Sequence, residues 1–348
     1  MHVGVFIEEM RQGATHADAF QEGFQLVDQA EAWGLDGVWL GELHCLPARS
    51  VLSAPLVVAA AIAARTRRLR IGTAVHVLPL SHPLRVAEEV ATLDHVSEGR
   101  VEFGVGRSGA VRTYDTFGIP YTESQARFRE ALAIVREAWK GAPFSYHGTH
   151  FRVDGATVSP RPYQRPHPPL RMAATTEETF PEVGRLGLAI FVGLRGMSVT
   201  ELATHVRAYR AAWRNAGHEG AGSVYLRIPI YAAPSEAEAT EEPRESATYY
   251  FQRQAEMARA ALGRAGTGPA DRRQAQADAL ARLSYAEILE SRVAFGTAPR
   301  LVERLAALRA ELGLDGIVVE LNPGGLIPVD RVTRSFRVLA HEVVPALR

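Results

Sequence analysis

The feature that most constrains this chain is an alternation. Short apolar runs, most of them rich in β-branched residues, recur along it, and each gives way to a longer stretch of helical periodicity. The runs fall at 3–7, 37–40, 69–75, 101–106, 170–174, 188–192, 224–231 and 316–321. Helical patterns follow at 16–33, 54–64, 83–96, 122–139, 177–186, 198–216, 235–290 (interrupted), 299–312 and 329–344. In the first of these Phe20, Phe24, Val27 and Ala30 keep one face apolar before Gly34 stops the helix. Strands that alternate with helices pair in parallel through right-handed crossovers. Eight such units predict an α/β chain closed into a (β/α)8 TIM barrel. The runs are mostly continuous apolar stretches, as strands covered by helices should be. Two segments break the rhythm and read as insertions within a single domain spanning 1–348. One is 142–168, where Tyr146 to Phe151 reads as a small hairpin. The other is 235–290, where Gly263, Gly266, Gly268 and Pro269 mark a flexible break.

Composition narrows the function. The 348 residues include 39 basic and 39 acidic side chains, so the formal net charge is zero. An electrostatic nucleic-acid binder would need a basic excess. A single cysteine excludes an internal disulfide and any CxxC metal site. The histidines form no HxH or HxxxH cluster with acidic partners, so no metal site is expected. The longest apolar stretch, 54–64, is far short of the roughly 20 residues that span a bilayer. The first residues carry no cationic leader pattern, so a cytoplasmic location is expected.

In such barrels the working residues sit where strands end. Those positions hold Glu8, Glu9 and Met10; Glu42, Leu43, His44 and Cys45; Ala74, Val75 and His76; Gly106, Arg107, Ser108 and Gly109; Thr175 to Thr179; and Asn322 to Gly325. Arg107 after a glycine-flanked strand, with Thr175, Thr176 and Thr179 at a helix start, suits an anion such as phosphate. The competing reading makes Thr175 or Thr176 a simple N-cap, with Glu177 or Glu178 completing a capping box. His44 is the best lone acid–base candidate, against the alternative of a structural loop histidine. Cys45 reads as inert packing rather than a nucleophile. His76 and His82 read as loop residues near Pro79 and Pro83, with His76 able to face the barrel mouth. The glycine spacing from Gly104 to Gly109 is only superficially that of a dinucleotide fingerprint, because no suitable acidic residue follows about 20 positions on.

Several stretches then carry a resemblance. They are 32–42 (Ala-Trp-Gly-Leu-Asp-Gly-Val-Trp-Leu-Gly-Glu), 70–75, 82–89, 93–107 (Leu-Asp-His-Val-Ser-Glu-Gly-Arg-Val-Glu-Phe-Gly-Val-Gly-Arg) and 295–299. In their order and spacing the chain resembles the bacterial-luciferase-like family of flavin-dependent monooxygenases along nearly its whole length. The resemblance implies reduced FMN at the C-terminal mouth of the barrel. It implies cofactor contacts at Glu42, Ala74, Val75, Gly106, Arg107, Gln125, Thr175, Thr176 and Thr179, with a cis peptide at Ala74–Val75 under the ring. Gln125 stands where the luciferase that names the family has a second phosphate arginine; Arg127 and Arg129 lie nearby, and a looser clamp would leave FMN a diffusing substrate. The family often carries Glu-His-His after the second strand, where this chain has Glu42-Leu43-His44-Cys45. Aligned without a gap, Leu43 takes the catalytic histidine's place; one extra residue in this loop puts His44 there, and we take His44 as catalytic.

The implied activity is oxygenation of a small organic substrate, of the kind met in secondary metabolism, by O2 through a C4a-peroxyflavin. The reaction would be hydroxylation, epoxidation or Baeyer–Villiger insertion. Reduced flavin would come from a separate NAD(P)H-dependent reductase, and the protein would be a homodimer. The alternatives are an F420-dependent oxidoreductase on the same barrel and a non-catalytic flavin-binding relative.

Overall fold

The computed structural model describes residues 1–8, 10–262 and 270–348. Glu9 and the expected break at Gly263, Gly266, Gly268 and Pro269 lie outside the described residues. The first half of the chain runs β1 (His2–Ile7), α1 (His16–Ala32), β2 (Gly37–Leu40), α2 (Pro55–Arg65), β3 (Arg70–Thr73), β4 (His76–Val77), α3 (Pro83–Val96), β5 (Val101–Gly106), α4 (Val111–Thr116) and α5 (Ser124–Ala138). A hairpin of β6 (Phe144–His147) and β7 (Arg152–Ala156) follows. Then come β8 (Leu170–Ala173), α6 (Thr179–Leu186), β9 (Ala189–Gly193), α7 (Val199–Asn215), β10 (Val224–Ala232), α8 (Glu236–Glu241), α9 (Arg244–Ala260), α10 (Ala270–Arg282), α11 (Tyr285–Ser291), β11 (Ala294–Gly296), α12 (Ala298–Leu312), β12 (Gly316–Glu320), α13 (Val329–Val338) and α14 (Val344–Leu347).

Eight strands pair in parallel in the cyclic order β1, β2, β3, β5, β8, β9, β10, β12 and back to β1. The ring is closed, and the expected (β/α)8 TIM barrel is the fold. All eight expected strands form. The third is split: β3 and β4 flank a cis Ala74–Val75 peptide. The described residues of the insertion at 235–290 are largely helical, and Tyr250, Phe251, Ala255, Leu280 and Ile288 pack with Val293 in a small core.

Local chemistry explains the element ends. Thr15 with Asp18, Ser198 with Glu201 and Ser284 with Glu287 form reciprocal capping boxes on α1, α7 and α11. Proline opens α2 and α3. The final helix, expected as one piece, contains a π-helical turn at Leu339–Val343. Pro345 has no N–H to offer the His341 carbonyl, so the regular ladder cannot pass it.

Alternation along the strands fills the barrel in layers. The bottom layer is polar: Arg171 pairs with Glu102 at 2.7 Å, and Arg70 approaches the same carboxylate at 3.2 Å. The middle layer is aromatic: Phe6, Trp39, Phe191 and Tyr225 pack with Val318. Trp39 fits because its neighbours are glycines; a Cβ at Gly72 would lie 2.1 Å from its ring and one at Gly4 2.5 Å from its Nε1. Among the described residues no helix is long and apolar enough to cross a membrane.

Candidate active site

Above the aromatic layer the C-terminal strand ends meet. Ala74 and Val75 pack on that layer and floor the mouth. Gly106, on the neighbouring β5, lies against them: a Cβ there would stand 2.4 Å from Val75 Cγ2. The strand register continues this contact around the rim. Val105 pairs with Met172, so Arg107 after β5 and the threonines after β8 leave adjacent strands.

Arg107 is half-buried. Its Nη1 donates to Ser124 Oγ at 3.1 Å, and its guanidinium lies 5.2 Å from the Tyr121 ring centroid. Its other guanidinium N–H groups have no protein partner among the described residues. Tyr114 donates to the Arg107 carbonyl and Tyr121 to the Ser108 carbonyl, fixing this loop from α4 and the turn before α5. Across from it α6 begins at Thr179, two residues later than the sequence pattern implied. The N-cap reading of Thr175 or Thr176 is overturned. The cap position is Glu178, in helical conformation, and no side chain caps the helix. Thr176 and Thr179 instead bond each other, Oγ1 to Oγ1, at 2.9 Å, while Thr175 is exposed. At this helix start the Thr179 N–H bonds the Thr176 carbonyl at 3.0 Å and Pro181 has no N–H, so the polar groups on offer to a ligand are the Thr176 and Thr179 hydroxyls.

Gln125 is exposed in the first turn of α5. One turn later Arg129 pairs with Glu182 of α6 at 2.8 Å, which sets the first turns of the two helices side by side. Arg127 pairs with Glu123 at 2.8 Å. Both of these arginines are thus held by carboxylates.

The other side of the mouth is built around Glu42, which follows β2. His44 Nε2 lies 2.8 Å from its Oε1, His76 Nδ1 lies 2.6 Å from its Oε2, and the Val77 N–H donates to Oε2 at 3.1 Å. Burial alone would push the Glu42 carboxyl up. The His76 and His44 contacts and the Val77 N–H outweigh it and hold the carboxyl at about 2. Leu43 turns the opposite way: its side chain is buried, and its N–H donates to the Leu52 carbonyl. The ring beside Glu42 is therefore that of His44, in edge contact with Phe117 at 5.0 Å between centroids. Cys45 is exposed, with φ of 58°, so it is not the packing residue its type suggested. His76, which read as a loop residue, is buried in β4. Among the described residues no group of His, Cys, Asp or Glu is placed to hold a metal ion.

A third cluster was not visible in the sequence. Arg227 of β10 bridges Glu8, at 3.2 Å, and Glu320, and lies 3.5 Å from the Phe6 ring centroid. Arg49 reaches Glu8 at 2.9 Å and Met257 Sδ of α9 at 3.0 Å. Burial would raise the Glu8 carboxyl, but Arg227, Arg49 and Arg195 hold it below the ordinary range. These contacts seat α9 against the mouth. Asn322, at the last strand end, braces its own turn through two bonds to Ile327.

The fold and rim together define a class: a parallel barrel whose mouth offers an apolar floor for a flat ring and, around it, an arginine and a pair of threonine hydroxyls for an anionic tail. The residues present fit a phosphorylated flavin. The chain belongs to the luciferase-like monooxygenase family, whose sequence profile matches residues 1–316.

It is 23% identical over 354 residues to the oxygenase component of the flavin-dependent trigonelline monooxygenase of Acinetobacter baylyi, with 98% of this chain and 94% of that one covered. A protein of Sinorhizobium fredii, y4wF, is 37% identical over 177 residues, 51% of each chain. The chain thus spans about half the length of the latter relative. Among solved structures, the monooxygenase RslO1 of Streptomyces bottropensis superposes with a TM-score of 0.82 at 25% identity, over 100% of both chains. The oxygenating constituent of 3,6-diketocamphane monooxygenase from Pseudomonas putida, in complex with FMN, gives 0.83 at 20% over 100% and 99%. An F420-dependent secondary alcohol dehydrogenase gives 0.76 at 19% over 100% and 99%. The last two likenesses speak to the fold alone.

Proposed function

We propose that this protein is an FMNH2-dependent monooxygenase that oxygenates a small organic substrate in the cytoplasm, with reduced flavin supplied by a separate NAD(P)H-dependent reductase. The observation that carries the reading is the rim: Arg107, which meets a hydroxyl and an aromatic ring rather than a carboxylate, leaves the strand beside the one that leads to the Thr176–Thr179 hydroxyl pair, next to a floor that glycine at 106 permits. The full-length similarity to an oxygenase component supports the reductase partner.

Arg107, Thr175, Thr176, Thr179 and Gln125 would hold the phosphate, and Ala74, Val75 and Gly106 would carry the ring. When bound, reduced flavin supplies the activation of O2. His44, the catalytic residue in this reading, keeps one ring nitrogen on Glu42 and has the other for a proton at the substrate. Phe117, itself 45% exposed, makes a T-shaped contact with the His44 ring. Glu42 would line the cofactor site while it pairs with His44. The chain would act as a homodimer, for which the exposed apolar face of α2, Val57, Ala61 and Ala64, is available; sedimentation tests this.

Anaerobic titration with FMNH2 and with reduced F420, followed by oxygen uptake with NADH, FMN and a flavin reductase, tests the reading. Binding of FMNH2 and substrate-dependent formation of oxygenated product are expected. Binding of F420 with FMNH2 ignored would replace the reading with hydride transfer. Flavin binding without turnover on any candidate substrate would favour a carrier.

A further inference from the structure

We propose that Arg195, two residues beyond the end of β9, determines specificity: its guanidinium holds the carboxylate of an anionic substrate whose other end lies across the mouth toward His44. This deepens the reading above and rests on it, since it takes the flavin ring to lie on the Ala74–Val75 floor.

The alternation of β9 aims the side chain. Ile190, Val192 and Leu194 are buried in the core that the strands share with the helices, whereas Phe191 belongs to the aromatic layer inside the ring. Positions 193 and 195 continue the inner face. Gly193 stands opposite Arg227 in the register, and a Cβ there would meet nothing nearer than the Arg227 carbonyl, at 3.5 Å. Room is therefore left above Phe191, and Arg195 is the next side chain on that face. Its backbone is held from behind. Arg292, at the end of α11, donates from Nη1 to the Leu194 carbonyl at 2.8 Å and also to the Met197 carbonyl.

Arg195 is half-buried and makes no hydrogen bond or ion pair among the described residues. Its charge is felt by Glu8, where it helps to hold the carboxyl below the ordinary range, in keeping with the inward direction. Glu8 is already taken: Oε1 accepts from Arg49 at 2.9 Å and Oε2 from Arg227 at 3.2 Å. A half-buried guanidinium without an acceptor is a preformed site for an oxyanion, and a planar carboxylate matches its fork. In the ring β2 and β9 stand four strands apart in either direction. The loops that carry His44 and Arg195 therefore leave opposite sides of the mouth. A small molecule with its carboxylate at Arg195 turns its apolar end toward His44 and Phe117.

The test is NMR titration of the arginine Nε–H signals in the full-length protein saturated with FMN, which keeps Arg107 occupied. The probes are benzoate and hexanoate, each beside its primary amide. In wild type each acid should bind about tenfold or more tightly than its amide, as expected for a hydrogen bond to a charged group. The Arg195 signal should move with the acids alone. In Arg195→Gln the acids should lose their advantage while FMN affinity is unchanged. The proposal is overturned if wild type binds neither acid in preference to its amide, if the Arg195 signal stays still, or if Arg195→Gln keeps the preference. It is overturned as well if Arg195→Gln weakens FMN but not riboflavin, because Arg195 would then belong to the phosphate. Should the variant fail to fold, the wild-type preference and the Arg195 signal decide. Should FMN not bind, the flavin reading fails, and the same titration of the flavin-free protein, read at Arg195, still decides whether the carboxylate site exists.

Discussion

Arg107 sits beside Ser124 and Tyr121 rather than beside a carboxylate, so its charge is available to a ligand. A hydrogen bond to a charged group contributes about 1.5–3 kcal/mol. Arg107→Ala should therefore weaken FMN binding about 10- to 100-fold and leave riboflavin, which has no phosphate, nearly unaffected. Fluorescence titration with both ligands checks this; equal losses would remove Arg107 from the phosphate. Glu42 makes a second prediction at this scale. Its carboxyl is held at about 2 in the fold, against an ordinary value of 4.5. A depressed carboxylate stabilises the fold fully above its unfolded value and loses that contribution as pH falls toward the folded one. The difference corresponds to roughly 3 kcal/mol. Urea denaturation of wild type and Glu42→Gln should show the widest stability gap at about pH 6, narrowing through about pH 4 toward pH 3. A constant gap would place the Glu42 effect in packing instead of charge.

Among the elements, α6 and α9 position the most. No side chain caps α6; the Thr176 and Thr179 hydroxyls bond each other and the Thr179 N–H bonds the Thr176 carbonyl, so the helix start presents hydroxyls to the rim. The helix α9 is tied to the turn after β12 by one hydroxyl. Ser246 Oγ donates to the Pro323 carbonyl at 2.7 Å and accepts from the Leu326 N–H at 2.9 Å. Ser246→Ala would leave both backbone groups without this partner in a buried place, at about 1–3 kcal/mol. The expected outcome is faster proteolysis within 235–290 with the barrel's far-ultraviolet circular dichroism preserved. Unchanged cleavage rates would show that Arg49 and Met257 alone seat the helix.

The whole molecule is held by charge as well as by apolar packing. Arg227 joins β10 to β1 and β12 through Glu8 and Glu320, and all three side chains are buried. Removing one partner of a buried ion cluster costs about 3–5 kcal/mol, because the remaining charges stay buried and unpaired. Arg227→Met should lower the stability by that amount in chemical denaturation. Adding Glu8→Gln and Glu320→Gln should recover part of it. Equal stability of wild type and Arg227→Met would mean that water or a neighbouring cation compensates.

The barrel itself was legible in the sequence because covered parallel strands and amphipathic helices leave local patterns of fixed period. All eight strands and most helix boundaries follow from them, and the hairpin, expected at 146–151, spans 144–156. Local pattern failed where pairing crosses strands. Arg171, Glu102, Arg227 and Glu320 sit inside runs that look uniformly apolar, because an inward charge needs a partner that only another strand supplies. The same reason hid His76: nothing near it in sequence reveals that Glu42 is 2.6 Å away. One residue of loop length turns either Leu43 or His44 inward; that Leu43 is buried and His44 pairs with Glu42 is set by the tertiary fold and not by spacing. Periodicity is a property of neighbouring residues and can be read along a chain, whereas a site is a meeting of strand ends that closure of the ring alone brings about.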